Sequence, residues 1–197
     1  MLKVGLTGGI GCGKSTASAI LSELGAYIFD ADKEAKHILD TNERVQSELI
    51  AEFGTDILGP DETIDRKKLA RVSFQDEDHQ LRLNAIVHPY IFEEIDRRFA
   101  QISSQGKYPL FVVDGALIFE SGLDQHLDYI IVISSTMKHR IERALSRGTL
   151  TREEIIKRME LQWTDEDKIH SADFVIHNNS TEESLREQVE EVYRRLT

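Results

Sequence analysis

The chain has 197 residues, 40% of them hydrophobic and 30% charged, with a formal net charge of −11. That is enough to bury one core with insertions, in the composition of a globular protein. The acidic balance argues against nucleic acid as a partner, and no apolar run is long enough to span a membrane.

In chain order, the first apolar run, Leu2–Leu6, reads as a strand. The next segment, Gly8-Gly9-Ile10-Gly11-Cys12-Gly13-Lys14-Ser15, fits the phosphate-loop pattern G-x-x-x-x-G-K-[ST] without mismatch, and Thr16 follows. A helical pattern begins at Ser15. Strand, loop and helix in this order let backbone N–H groups and a helix N-terminus surround a phosphate. Lys14 is expected to reach the β- and γ-phosphates of a nucleoside triphosphate, and the Ser15 hydroxyl to hold Mg²⁺. Cys12 is the only cysteine, which excludes an internal disulfide and fits a reducing cytosol. The N-terminal apolar stretch runs directly into the loop, unlike a signal peptide, and a cytoplasmic location is expected.

A second strand, Ala26–Phe29, leads to Asp30 and Asp32. A carboxylate at this strand end suits a kinase base that orients an acceptor hydroxyl and takes its proton; either Asp could equally cap the next helix. Residues 31–108 hold several helical patterns, including a long one over Leu81–Ile102, and exceed a single crossover helix. His88-Pro89 falls inside that helix and predicts a kink or a helix start. From the residues alone, His88 is either a structural histidine or a contact for a substrate phosphate.

The third strand, Leu110–Val113, is followed by Asp114, the expected place for the acidic residue of a Mg²⁺ shell. Glu120 is a weaker candidate. The fourth strand is Tyr129–Ile133. Two helical patterns over Met137–Gln162 meet at Gly148-Thr149. Arg140, Arg143 and Arg147 share one helix face there, and Arg158 lies on the next helix. Such arginines either stabilise a transferred phosphoryl group or form a solvated basic face. Trp163 reads as a packing residue, and Phe174–Ile176 as the last strand. The histidines show no metal-ligand spacing.

The alternation predicts an α/β fold with a doubly wound, parallel five-stranded sheet. Its core would comprise residues 1–30, 109–136 and 163–197, with a helical substrate-binding insertion at 31–108 and a lid at 137–162.

Taken together, these segments resemble the dephospho-coenzyme A kinase family over nearly the whole chain. The run Val4-Gly5-Leu6-Thr7-Gly8-Gly9-Ile10-Gly11 through Thr16 looks like its nucleotide loop. Asp30-Ala31-Asp32 is similar to its Asp-Ala-Asp segment, whose second Asp is taken as the base, and this singles out Asp32. Further likeness lies in Phe53–Ile57, Asp65-Arg66, Leu69, Phe74, Leu83, Ile86 and His88-Pro89, in Asp114 through Glu120, in Arg143, Arg147, Arg158 and Gln162, and in Ala172-Asp173 and Asn178-Asn179. The resemblance implies ATP and Mg²⁺ as reagents and dephospho-coenzyme A as acceptor, phosphorylated on its ribose 3′-hydroxyl. It implies catalytic roles for Asp32, Lys14, Arg143 and Arg147. Nucleotide contacts would come from Gly8 to Thr16, Arg147 and Asn178, and acceptor contacts from Asp32, His88, Arg143 and Arg158. Ser15 and Asp114 would be the metal residues.

Departures from the family pattern are Gly115-Ala116 in place of x-Pro, Arg140 in place of glutamine, Gly148 in place of aspartate, Asn84 in place of glutamate and Cys12 in place of serine. A monomer is expected. A different acceptor, such as a nucleotide, nucleoside or sugar, would fit the loop equally well. A GTP switch would need an Asn-Lys pair, which the chain lacks, and a mechanical ATPase would follow Asp114 with Glu rather than Gly115.

Overall fold

In the computed structural model, residues 1–73 and 75–197 are described; Phe74, part of the family resemblance, lies outside them. Five parallel strands, β1 (Leu2–Thr7), β2 (Tyr27–Asp30), β3 (Leu110–Asp114), β4 (Tyr129–Ser134) and β5 (Phe174–His177), form one sheet in the order β2-β3-β1-β4-β5. The five expected strands are all present, each one residue longer at its C-terminal end, and β2 begins one residue later.

The helices are α1 (Lys14–Glu23), α2 (Ala31–Thr41), α3 (Glu43–Phe53), α4 (Arg66–Ser73), α5 (Glu77–Ser103), α6 (Met137–Ser146), α7 (Arg152–Glu160), α8 (Asp165–His170) and α9 (Glu182–Leu196). The chain forms two compact units. One is Met1–Asp30 with Arg97–Thr197; the other is Ala31–Asp96.

The first unit holds the sheet. All five residues of β3 are buried, as expected of a central parallel strand covered on both faces. On one face, α1 and α9 pack over Val4, Leu6, Leu110, Val112 and Ile131. From α9 the packing residues are Leu185, Val189, Val192 and Leu196, the spacing of one apolar helix stripe. Thr181 starts this helix by accepting the Ser184 N–H. On the other face Phe111 stacks on Tyr27 and Phe29, at 5.3 and 5.9 Å between ring centroids, and meets Phe99 edge-on at 5.4 Å. The Phe99 contact explains why the unit boundary falls inside α5 at Asp96, short of residue 108: the end of that helix packs on the sheet.

The second unit is helical. Asn42 caps α3 by accepting the Arg44 and Val45 N–H groups, and Val45 and Leu49 are fully buried. Pro89 neither starts nor ends α5, which runs unbroken through it. The helix start expected there is corrected: Asp76 accepts the His79 N–H at 2.9 Å and supplies the entry to α5 well upstream. Asp76, Asp78 and His79 bring ligand atoms within 4.8 Å of one another. Their oxygens are engaged locally, Asp76 with the His79 ring at 2.7 Å and Asp78 with Arg82 at 2.6 Å.

Candidate active site

The phosphate loop joins β1 to α1. Three positions need glycine because φ is positive: Gly11 (φ 78°), Gly13 (φ 99°) and Gly8 (φ 157°, at the margin of that region). Gly13 directly precedes α1, so Lys14, Ser15 and Thr16 form the first turn of that helix. The Cys12 N–H donates to Gly9 O at 3.1 Å and closes the turn.

Lys14 Nζ forms an ion pair with Asp114 Oδ1. The pairing is a consequence of topology: β3 lies beside β1 with Leu6 opposite Asp114, so the carboxylate ends its strand next to the start of the loop. Asp30 lies opposite Asp114 on the other side. Ser15 is exposed, and Asp114 is buried.

The carbonyl side of the loop is held by residues far away in sequence. Asn178 Nδ2 donates to Cys12 O at 2.8 Å. Arg143 Nη1 points to the same oxygen at 3.5 Å, and its guanidinium makes two 3.1 Å bonds to Asn178 O and one of 3.2 Å to Ser135 Oγ. A trans peptide points its C=O and N–H in opposite directions. Fixing Cys12 O on the outside therefore turns the Gly13 N–H toward the inside of the loop. Arg143 and Asn178, expected to contact substrate and nucleotide, are thus bonded to the loop and to each other.

The other expected residues divide by place. Arg147 is exposed and caps the C-terminus of α6, so the shared face inferred for three arginines ends where the helix does. Arg140 is buried, Arg143 half-buried and Arg158 half-buried on α7. Asp32 is exposed in the first turn of α2, and His88 is half-buried within α5; both belong to the second unit. The His88 ring stacks on Phe92 at 6.0 Å, and burial pushes its pKa down to about 4, so it is neutral at pH 7. Cys12 is buried, and desolvation pushes its thiol pKa up.

Two residues, Lys168 and Asp165, were not legible in the sequence as part of this region. Lys168 is fully buried, 2.9 Å from Glu120 Oε1 and 3.1 Å from Ala116 O. Glu120 also accepts the Trp163 N–H at 2.8 Å, while the Trp163 ring stacks flat on Phe119 at 5.4 Å. Asp165 pairs with Arg140 at 2.6 Å. Lys168 and Asp165 sit in an acidic hexapeptide helix, too short to show a periodicity, and nothing local marks their partners.

A parallel sheet of this order, with a phosphate loop between β1 and α1 and an acidic residue closing β3, defines a P-loop kinase. The family model for dephospho-CoA kinase matches residues 2–184. A dephospho-CoA kinase from Corynebacterium glutamicum is 41% identical over 94% of this chain and 92% of its own length. Among solved structures, a dephospho-CoA kinase from Campylobacter jejuni is 30% identical, covers 98% of this chain and 96% of its own, and superposes with a TM-score of 0.70. A protein from Thermus thermophilus, also 30% identical, covers 100% and 98% with a TM-score of 0.81. The chain belongs to the dephospho-CoA kinase family. Among the described residues, no helix is long and apolar enough to cross a membrane.

Proposed function

We propose that this protein transfers the γ-phosphate of ATP to the ribose 3′-hydroxyl of dephospho-coenzyme A, giving ADP and coenzyme A. The observation that carries the reading is the phosphate loop with Lys14 held against Asp114, in a chain of this family. Loop N–H groups and the start of α1 receive the phosphates. Lys14 exchanges its carboxylate partner for β- and γ-phosphate oxygens. Asp32 orients the 3′-hydroxyl and takes its proton as the O–P bond forms and the bond to the β-phosphate oxygen breaks.

Ser15 and Asp114 suit Mg²⁺, because a hydroxyl and a carboxylate are the hard oxygen donors that ion takes. When bound, Mg²⁺ neutralises charge on the phosphate oxygens. Arg147, exposed at the end of α6, would be the lid arginine that meets the transferred phosphoryl group. Arg143 contributes by holding Asn178 and the loop through Nη1 and Nη2. His88, as a neutral ring, and Arg158 are the further residues we assign to acceptor binding. The lid is 137–162 and the acceptor-binding insertion begins at residue 31. We place the enzyme in the cytoplasm as a monomer.

The test is phosphorus NMR of the product formed from MgATP and dephospho-coenzyme A. A new monoester resonance coupled to the ribose H3′ supports the assignment; a phosphate on any other oxygen, or none, contradicts it.

A further inference from the structure

Arg140 stands apart from the other lid arginines because it is buried and bonded in two directions at once. Its Nε donates to Ile10 O at 3.0 Å, and its Nη1 pairs with Asp165 Oδ2 at 2.6 Å; only 7% of the side chain is exposed. Its neighbourhood leaves no slack. A methyl group added to Gly9 would run into the Arg140 guanidinium and lie 3.0 Å from Asp165 Oδ1, and one added to Gly11 would meet the Arg140 backbone carbonyl. The first turn of α6 therefore packs backbone against backbone on the loop.

We propose that Arg140, oriented by Asp165, is a positioning residue for the phosphate loop. The reason is again peptide geometry. Holding Ile10 O on the outside turns the Gly11 N–H inward, as Asn178 and Arg143 do for the next carbonyl but one. Arg140 thus sets one carbonyl, and Asn178, held by Arg143 from the same helix face, sets the next but one, so the N–H groups an anion needs are aimed before it arrives. Asp165 fixes the plane of the guanidinium, so that Nε rather than an Nη atom meets Ile10 O. A glutamine at this position has two N–H groups but on one nitrogen, on a shorter side chain without charge, so it would not span Ile10 O and Asp165 as the separate Nε and Nη1 of the guanidinium do. The pair also links α8 to the loop through α6, since Asp165 begins α8 directly after its cap, Thr164.

The inference rests on the nucleotide-loop reading and not on the identity of the acceptor, so its test uses ADP. ADP binding would be measured by calorimetry on the full chain, with Arg140→Gln, Asp165→Asn and the double variant beside the wild type. ATP KM and kcat would be read in parallel, and the melting temperature without nucleotide would be recorded. Arg140→Gln is expected to weaken ADP binding and raise the ATP KM at least about tenfold, with kcat within about threefold, as loss of a charged hydrogen bond implies. Asp165→Asn is expected to cause a smaller loss in the same direction, and the double variant to resemble Arg140→Gln, because both act through one guanidinium.

Unchanged ADP binding in Arg140→Gln, even with a lower melting temperature, would overturn the proposal, as would a kcat loss at constant KM or an additive double variant. Should Arg140→Gln fail to fold, Asp165→Asn decides alone: ADP affinity equal to the wild type overturns the proposal, and weaker affinity supports it. A wild type that binds ADP without phosphorylating dephospho-coenzyme A would fault only the acceptor assignment; one that binds no ADP would overturn the loop reading and this proposal together.

Discussion

Replacing Lys168 by Met is expected to destabilise the protein strongly. Lys168 Nζ is fully buried and serves two oxygens, Glu120 Oε1 at 2.9 Å and Ala116 O at 3.1 Å. Methionine keeps most of the length and volume but removes the charge. Ala116 O retains a donor in Thr7 Oγ1 at 3.3 Å. Glu120, with 10% of its side chain exposed, retains only the Trp163 N–H among the described residues. Breaking a buried pair on one side costs about 3–5 kcal/mol, because the remaining charge stays in a poorly solvating place. For a chain of this size that lowers the melting temperature by about 6–20 °C. Glu120→Leu alone strands the ammonium and costs a similar amount, whereas Lys168→Met with Glu120→Leu removes both charges and restores most of the loss. Urea unfolding of the four proteins gives the cycle directly. Single variants that each cost less than about 1 kcal/mol, with an additive double, would refute the reasoning.

Three further outcomes are expected. Asp32→Asn keeps the shape but cannot accept a proton, so turnover falls severely while ADP affinity measured by calorimetry stays within about twofold; a matching loss of affinity would mean a different role. His88 should make the fold acid-sensitive. In the unfolded chain it takes up a proton near pH 6.5, in the folded protein only near 4. Between those values the unfolded state binds more protons, so stability falls as pH drops, by up to about 3 kcal/mol in all. Urea unfolding at pH 7 and pH 5 would show a smaller acid loss in His88→Gln than in the wild type; equal losses would contradict this. Cys12, buried and with its thiol pKa raised, should react with iodoacetamide far more slowly in the native protein than in denaturant, and MgATP should slow it further; fast native labelling would place the thiol elsewhere.

The parts of the molecule that were readable from sequence are those whose signal is local. The phosphate loop is eight consecutive residues whose glycines serve backbone conformation, and the five strands are short apolar runs between helices. Asp114 was readable because a strand end next to a loop strand has a fixed place in this topology. The lid arginines were not. Spacing put Arg140, Arg143 and Arg147 on one face, but what each touches depends on where Ile10, Asn178 and Asp165 lie in space. The structure divides the three into a buried residue on Ile10 O, a half-buried one on Asn178 O and an exposed helix cap. Lys168 was hidden for the same reason: in a sequence it is one lysine in Asp165-Glu166-Asp167-Lys168, with a partner 48 positions upstream. Pro89 misled as a possible helix start because local chemistry allows one there, while the turns of α5 begin upstream and continue through it.

ADP release from MgATP with dephospho-coenzyme A, set against AMP, CMP, a simple sugar and no acceptor, tests the central claim most directly. The account predicts turnover with dephospho-coenzyme A alone and slow release without it. Turnover confined to another acceptor would contradict the assigned reaction while leaving the kinase, and rapid release with no acceptor would contradict a transfer enzyme altogether.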